Sequence, residues 1–171
     1  ENNNAILQGF TLQNGNGNDE DPDNNGSFYT YGGGIYCENS DPLIKDCIIQ
    51  NNTANEGGGA GIFCYDSSPI FFGCTIKENE TDDVGGGLYA RDGSSPSFFD
   101  CIFVDNTAEF GGGCYLKSSS SPWMEDVVFM QNNANNSGGG IGLKDDANIQ
   151  ASNLTISENL AEGLGGGLYI N

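Results

Sequence analysis

The residues best suited to bind a metal ion lie in an acidic segment near the start of the sequence. Asp19, Asp21 and Asp23 occupy alternate positions, so their carboxylates can converge on a calcium ion. The segment departs from the usual calcium loop, because Asn24 stands where that loop has glycine and Thr30 where it has a bidentate glutamate. The alternatives are a calcium site or a solvated acidic loop, and Ca²⁺ is the only cofactor that the sequence suggests.

Cysteine is the other residue type with chemistry of its own. The sequence contains no histidine, and the cysteine spacings match no zinc motif, which argues against a zinc site and leaves a catalytic thiol without a base. The cysteines are either small buried apolar residues or, in an extracellular setting, disulfide-bonded. The pairs in the second case are Cys37–Cys64 and Cys47–Cys74, with Cys101 near Cys114.

The charge balance limits the classes of partner. With 24 acidic and 5 basic residues the formal net charge is -19, which argues against binding nucleic acid or anionic lipid. No apolar run approaches the ~18 residues of a membrane-spanning helix. Arg91, Lys117 and Lys144 recur at repeat spacing, and they are either surface charges paired with acids or general bases of an enzyme. We expect no enzymatic activity.

These residues recur because the sequence repeats. A glycine-rich triplet starts at residues 32, 59, 85, 111, 138 and 165, so the period is 26 or 27 residues. Each triplet precedes a short alternating segment, such as Ile35-Tyr36-Cys37, and alternation over so few residues indicates a strand. A Ser-x-Pro turn follows in most repeats, and a second apolar segment such as Cys47-Ile48-Ile49 comes after it.

Three short strands in each repeat predict an all-β fold, a right-handed parallel β-helix of about six coils of about 27 residues. Residues 1–171 form a single domain, with a loop insertion at about 16–31. Equivalent residues should stack ~4.8 Å apart along the axis. The columns led by Ile35, Cys37, Cys47 and Ile49 should point inward, and the glycines should provide turns with positive φ.

Two further columns have polar or aromatic members. One asparagine per coil can form a ladder of amide hydrogen bonds: Asn52, Asn79, Asn106, Asn132 and Asn159. An outward column contains Tyr36, Phe63, Tyr89, Tyr115 and Tyr169. These rings either stabilise neighbouring coils or bind a ligand such as a glycan.

Asn-x-Ser/Thr sequences provide candidate N-glycosylation sites. Turns or outward positions are expected for Asn25, Asn51, Asn135 and Asn153. A fifth, Asn79, belongs to the buried ladder and is a poor acceptor. Glycans would be attached only if the source glycosylates secreted asparagines.

The repeat resembles that of the chlamydial polymorphic outer membrane proteins. The resemblance is carried by Gly112-Gly113-Cys114 with Phe129-Met130-Gln131-Asn132, and by Gly86-Gly87-Leu88 with Phe103-Val104-Asp105-Asn106. The opening segment 9–15 is similar to the first coil of many bacterial surface β-helix proteins, a fold that pectate lyases share. The resemblance implies an extracellular or cell-surface location and an adhesive function.

The two ends of the sequence match one another. Cys37 precedes Cys47 by ten residues, and Ile170 would precede Phe10 of a following copy by eleven. An uncapped strand edge templates association. We therefore expect a non-catalytic extracellular solenoid that stacks head to tail into a fibre. The alternatives are a segment of a longer adhesin that binds glycans or a host surface and, less favoured, a polysaccharide lyase.

Overall fold

The computed structural model describes residues 5–20, 26 and 29–171, in which strands and turns alternate without any helix. This part of the chain therefore contains no helix that could cross a membrane. The strands are β1 (Ile6–Gln8), β2 (Thr11–Gln13), β3 (Asn18–Glu20), β4 (Tyr29–Tyr31), β5 (Ile35–Glu38), β6 (Leu43–Lys45), β7 (Ile48–Gln50), β8 (Thr53–Ala54), β9 (Glu56–Gly58), β10 (Ile62–Tyr65), β11 (Ile70–Phe72), β12 (Thr75–Lys77), β13 (Glu80–Thr81), β14 (Leu88–Arg91), β15 (Ser97–Phe99), β16 (Ile102–Val104), β17 (Thr107–Phe110), β18 (Cys114–Leu116), β19 (Trp123–Glu125), β20 (Val128–Met130), β21 (Asn133–Ser137), β22 (Ile141–Leu143), β23 (Gln150–Ser152), β24 (Thr155–Ser157), β25 (Leu160–Ala161) and β26 (Leu168–Ile170).

Four parallel sheets run along the axis, and we name each after the sequence feature that precedes its strands. The glycine sheet has the order β5-β10-β14-β18-β22-β26, the proline sheet β1-β6-β11-β15-β19-β23, the cysteine sheet β2-β7-β12-β16-β20-β24, and the asparagine sheet β8-β13-β17-β21-β25. The chain visits the sheets in this order once per coil. The predicted all-β parallel solenoid is confirmed, with five complete coils and a partial coil at either end.

The expectation of three strands per coil is wrong, because every complete coil has four. The proline sheet was not anticipated. In the four central strands of this sheet only the middle residue is buried, as Ile44, Phe71 and Phe98 are. The flanking residues vary freely, so the segment lacks the alternation that reveals the other strands.

The predicted stacking register is confirmed. In the glycine sheet Ile62 pairs with Ile35 on one side and with Leu88 on the other. In the cysteine sheet Ile76 pairs with Ile49 and Phe103. Apolar inward residues therefore stack on apolar inward residues in both sheets.

Stacking concentrates the aromatic residues of the core. Phe71 lies on Phe98 with ring centroids 4.7 Å apart, and Phe103 lies on Phe129 at 4.5 Å. All four side chains are fully buried. Burial of each ring stabilises the fold by roughly 1.5–3 kcal/mol, which allows a narrow core to support long coils.

The predicted asparagine column forms a continuous ladder of hydrogen bonds. Nδ2 of Asn79 donates to Oδ1 of Asn106 at 2.9 Å and to the carbonyl oxygen of Ile49 at 3.0 Å. Oδ1 of Asn79 accepts from both the backbone N–H and Nδ2 of Asn52, at 3.1 and 2.9 Å. The same pattern continues through Asn132 to Asn159. The buried amides are thus satisfied by one another, which removes the cost of burying them.

The glycine triplets serve two purposes, of which the sequence predicted one. The first glycine of each triplet makes a left-handed turn, as Gly111 does with φ 64°. The third glycine is required by close packing instead. A Cβ at Gly113 would lie 2.5 Å from the carbonyl oxygen of Gly140 and 2.8 Å from Cδ1 of Phe129.

The described residues of the insertion predicted at about 16–31 include two strands. Strand β3 pairs antiparallel with β4, and β4 pairs in parallel with β9 of the next coil. This hairpin places Tyr31 against the outer face of the glycine sheet, where it stacks on Phe63.

Candidate functional site

The outer face of the glycine sheet carries the aromatic column that was predicted as a candidate ligand face. Phe63, Tyr89 and Tyr115 are only 0%, 4% and 6% exposed, whereas Tyr36 and Tyr169 at the two ends are partly accessible. Adjacent ring centroids lie 5.2 Å apart from Tyr36 to Phe63 and 5.9 Å apart from Tyr89 to Tyr115. A continuous exposed ligand face is therefore ruled out along the middle of the column, where the rings form a second core.

This second core is closed by residues that the sequence analysis did not single out. Tyr31 stacks on Phe63 with centroids 4.4 Å apart, and Val84 and Phe110 pack against the same cluster. Each of the three immediately precedes a glycine triplet. A large apolar residue at that recurring position was the signal that could have revealed the cover.

The column is interrupted at Gly142, which lies between Tyr115 and Tyr169 in the register of the glycine sheet. A Cβ at Gly142 would lie 2.8 Å from Cδ2 of Tyr115, so the glycine lets that ring lean towards the next coil. A cavity of about 260 Å³ opens beside this gap. It is lined by Asp83, Val84, Tyr89, Phe110, Tyr115, Lys117, Lys144, Tyr169 and Asn171.

Two lysines give this cavity a local positive charge on a strongly acidic protein. Lys117 follows Tyr115 by two residues, so strand alternation places both side chains on one face, and Lys144 is the stacked neighbour of Lys117. Nζ of Lys117 lies 3.9 Å from Oδ2 of Asp145. Among the described residues Lys144 forms no ion pair. The sequence indicated the aromatic and basic columns separately, and the structure brings them to one cavity.

Burial shifts the proton equilibria of the cavity walls. Desolvation raises the pKa of the Asp83 carboxyl, and nearby Lys117 partly offsets the shift. Desolvation likewise raises the pKa of Tyr115 to about 12, with the Asp145 and Asp83 charges acting in the same direction. The cavity walls therefore carry ammonium groups, neutral phenols and a carboxyl group beside the side chains of Val84 and Phe110.

Arg91 is engaged elsewhere. Its Nε donates to Oδ2 of Asp92, and its guanidinium lies 5.5 Å from the ring centroid of Tyr65. These contacts hold the side chain along the sheet surface. The lyase interpretation, in which Arg91 is a base, stays a prediction.

All six cysteine thiols are buried and free. Cys37 and Cys64 are stacked neighbours in the glycine sheet, and the backbone N–H of Cys74 donates to Sγ of Cys101 at 3.4 Å. Cys101 therefore has Cys74 as its stacked neighbour rather than Cys114, which the sequence analysis placed near it, because Cys114 belongs to the glycine sheet. Burial raises the pKa of the Cys114 thiol, as expected for an unreactive core residue.

The acidic insertion is described only in part. Asp19 lies in β3, and its Oδ1 accepts a hydrogen bond from Oγ1 of Thr30 at 3.2 Å. Asp21 and Asp23 lie outside the described residues. In the part of the chain that is described, no cluster of three or more cysteine or acidic side chains is arranged to hold a metal ion. The calcium site stays a prediction.

The candidate glycosylation sites are accessible where the structure describes them. Asn51 and Asn153 occupy exposed left-handed corners with φ of 52° and 56°, and Asn135 is exposed in β21. Nδ2 of Asn153 donates to Oδ1 of Asp126 at 2.5 Å. Asn25 lies outside the described residues.

Comparison with known families agrees with this architecture. A family model described as a right handed beta helix region matches residues 1–95 and again 72–171. No curated protein and no solved structure matches the chain. The more specific likeness to chlamydial surface proteins or pectate lyases stays a prediction.

Proposed function

We propose a structural role for this chain, which belongs to the right-handed β-helix family. In this proposal it is a non-catalytic, extracellular rod that lengthens by head-to-tail stacking of copies. The observation that carries the proposal is the match between the strand edges at the two ends of the coil stack.

The two ends are complementary in the sheets they present. At one end β1 and β2 are the edge strands of the proline and cysteine sheets, preceding the first strand of the glycine sheet in the chain. At the other end β26 extends the glycine sheet one strand beyond the last complete coil. A copy placed on this end would complete one coil, with β26 supplying the strand that the partial coil of β1 and β2 lacks.

Both ends also expose apolar side chains that a further coil would cover. Phe10, which precedes Thr11 as the inward Cys47 precedes Ile48, is 54% exposed at one end, and Ile170 is 68% exposed at the other. Leu143, Leu154 and Ile156 line an open cavity of about 510 Å³ at the Ile170 end, where the core is uncovered. Unpaired strand edges above an open core favour association with another strand-bearing end.

Electron microscopy and sedimentation of the purified chain test this proposal. Head-to-tail stacking predicts filaments with an axial repeat of about six coils, or ~29 Å. The variant Ile170→Lys places a charge on the open core and should abolish filaments. The matched control is Ile102→Lys, because Ile102 is a half-exposed residue on the side of the rod. A parent chain that sediments only as monomer, or filaments that survive in Ile170→Lys, would contradict the proposal.

Glycan binding is a second candidate function, favoured by the cavity that Tyr169, Lys117 and Lys144 share. Titration with galacturonic acid and with galactose, followed by saturation-transfer NMR, tests it. We expect signal from the acidic sugar only, and loss of that signal in Tyr169→Ser and in Lys144→Glu. The control Lys77→Glu makes the same charge change on another sheet and should leave binding intact. Equal signals from galacturonic acid and galactose would contradict glycan binding at this cavity. A galacturonic acid signal that is unchanged in Lys144→Glu would contradict it as well.

A further inference from the structure

The outer face of the proline sheet carries large apolar side chains that no other part of the described chain covers. In the four central coils the first outward column consists of Leu43, Ile70, Ser97 and Trp123, and the second of Lys45, Phe72, Phe99 and Glu125. The first column continues to Ile6 and Gln150 at its two ends, and the second to Gln8 and Ser152. Phe72 is 42% exposed, and Ile70 and Trp123 are similarly exposed. Leu43, Phe72 and Phe99 line a shallow groove of about 340 Å³. A contiguous apolar face of this kind marks an interaction surface.

The order of residues in the two columns is self-complementary. Rotating a second copy by a half-turn about the strand direction reverses its coil order and preserves its strand direction. The first of the four coils then faces the fourth, and the second faces the third. The facing pairs are Leu43 with Trp123, Ile70 with Ser97, Phe72 with Phe99, and Lys45 with Glu125.

We propose that a second copy of this chain packs on the proline sheet with its axis antiparallel, which forms a closed two-fold dimer. Each pair occurs twice in such an isologous interface. Ile70 finds the short side chain of Ser97 opposite, and the two phenylalanines meet at the centre. The dimer uses the side of the rod, so it does not rest on head-to-tail stacking.

Charge complementarity favours this orientation over its alternatives. Lys45 and Glu125 stand at opposite ends of one column, and within the described residues neither forms an ion pair. Nζ of Lys45 lies 5.6 Å from the ring centroid of Phe72, and Glu125 accepts a hydrogen bond from Nε1 of Trp123 at 3.4 Å. With parallel axes Lys45 would face Leu43, and a shift by one coil would place it opposite Phe99 or Ser152. Only the antiparallel register pairs the two charges.

The neighbouring corners and the net charge oppose association and make the dimer weak. Asp46, Asp100 and Asp126 line the corner beside this face. Asp46 accepts from Nε2 of Gln8 at 3.0 Å and Asp126 from Nδ2 of Asn153, so both carboxylates are held along the axis. Each copy also carries a formal charge of -19. The affinity should therefore increase when salt is raised from very low to physiological strength, where long-range repulsion is screened.

Charge exchange tests the pairing directly. Sedimentation velocity from about 10 µM to about 1 mM would measure the dimer, in an Ile170→Lys background that removes end-to-end stacking. Lys45→Glu and Glu125→Lys should each weaken the dimer by about tenfold, because each change creates two like-charge contacts. The double variant Lys45→Glu/Glu125→Lys should recover to within about threefold of the parent.

Lys77→Glu is the control, since it changes the net charge by as much as Lys45→Glu does but lies on the cysteine sheet. Fluorescence of Trp123, the only tryptophan, should shift to shorter wavelength as the dimer forms. A monomer across the whole range, equal effects of Lys45→Glu and Lys77→Glu, or no recovery in the double variant would overturn the proposal. Loss of filaments in Ile170→Lys with the dimer retained would separate the two modes of association.

Discussion

The outer faces of the glycine sheet and the proline sheet both carry columns of large side chains, yet only one of them is covered by the chain. Tyr31, Val84 and Phe110 close the glycine-sheet column and make Phe63 part of a second core. Phe72 occupies a comparable outward position on the proline sheet and remains 42% exposed. The difference arises from the segments beside each sheet. Large residues directly before three of the glycine triplets pack over the glycine sheet, whereas no described residue of the corners beside the proline sheet is in an equivalent position over that sheet.

The largest expected effect tests this difference with a matched pair of truncations. Phe63→Ala should lower the free energy of unfolding by about 3–5 kcal/mol, because it leaves a cavity in a packed cluster. Phe72→Ala should cost less than about 1 kcal/mol in the monomer, since Phe72 is already 42% exposed and its truncation leaves no enclosed cavity. Urea unfolding monitored by circular dichroism measures both. Equal losses would show that the two faces are covered alike.

The buried asparagine ladder provides a reference for the two phenylalanine truncations. Asn106→Ala removes the acceptor shared by the backbone N–H and Nδ2 of Asn79 and the side-chain donor to the carbonyl oxygen of Ile76, so we expect a loss of about 3 kcal/mol. Asn135→Ala, at an exposed position, should change stability by less than about 0.5 kcal/mol. The same unfolding assay applies, and a ladder variant as stable as the exposed control would argue against buried hydrogen bonding.

A smaller effect is expected at the boundary between the covered column and its open end. In Gly142→Ala the new Cβ would approach Cδ2 of Tyr115 within 2.8 Å, so the ring must move. We expect a destabilisation of about 1–2 kcal/mol and a change in the near-ultraviolet circular dichroism of the tyrosines. An unchanged spectrum would show that the ring does not lean on this glycine.

The covered tyrosines should also give a pH signature. The pKa of Tyr115 is raised from 10.0 to about 12, so its neutral form is favoured in the folded state. Its contribution to stability is complete below pH 10 and is lost as the pH rises towards 12, because the unfolded chain ionises first. Phenolate absorbance and thermal unfolding across this range should show late ionisation coupled to unfolding. Tyr115→Phe should reduce the dependence.

The smallest expected effect is that of replacing Asp83, whose carboxyl group lines the cavity beside Gly142. Burial raises the pKa of Asp83, so its charged form is disfavoured in the folded state at neutral pH. Asp83→Asn should therefore stabilise the fold by a few tenths of a kcal/mol at pH 7 and have no effect at a pH well below the ordinary pKa. Thermal unfolding at both pH values measures this, and destabilisation at pH 7 would indicate a structural role for the charge.

The repeat made most of the fold predictable. Equivalent residues recur every 26 or 27 positions, and parallel stacking converts that period into spatial columns. The register of Ile35 with Ile62 and the hydrogen-bonded column of Asn79 and Asn106 both follow from this rule. The proline-sheet strands did not, because each supplies a single inward residue and so carries no alternation.

What the sequence by itself determined was the coil, its inward columns and the asparagine ladder, since each depends on contacts between neighbouring repeats. Only the tertiary structure decided which outward column is buried. That outcome depends on how Tyr31 in the hairpin and Phe110 before its glycine triplet fold across the sheet. The tertiary structure also places Lys144 and Tyr169 in one cavity. The surroundings of an outward side chain depend on the segments that pack beside its sheet, and these positions are set only in the folded chain.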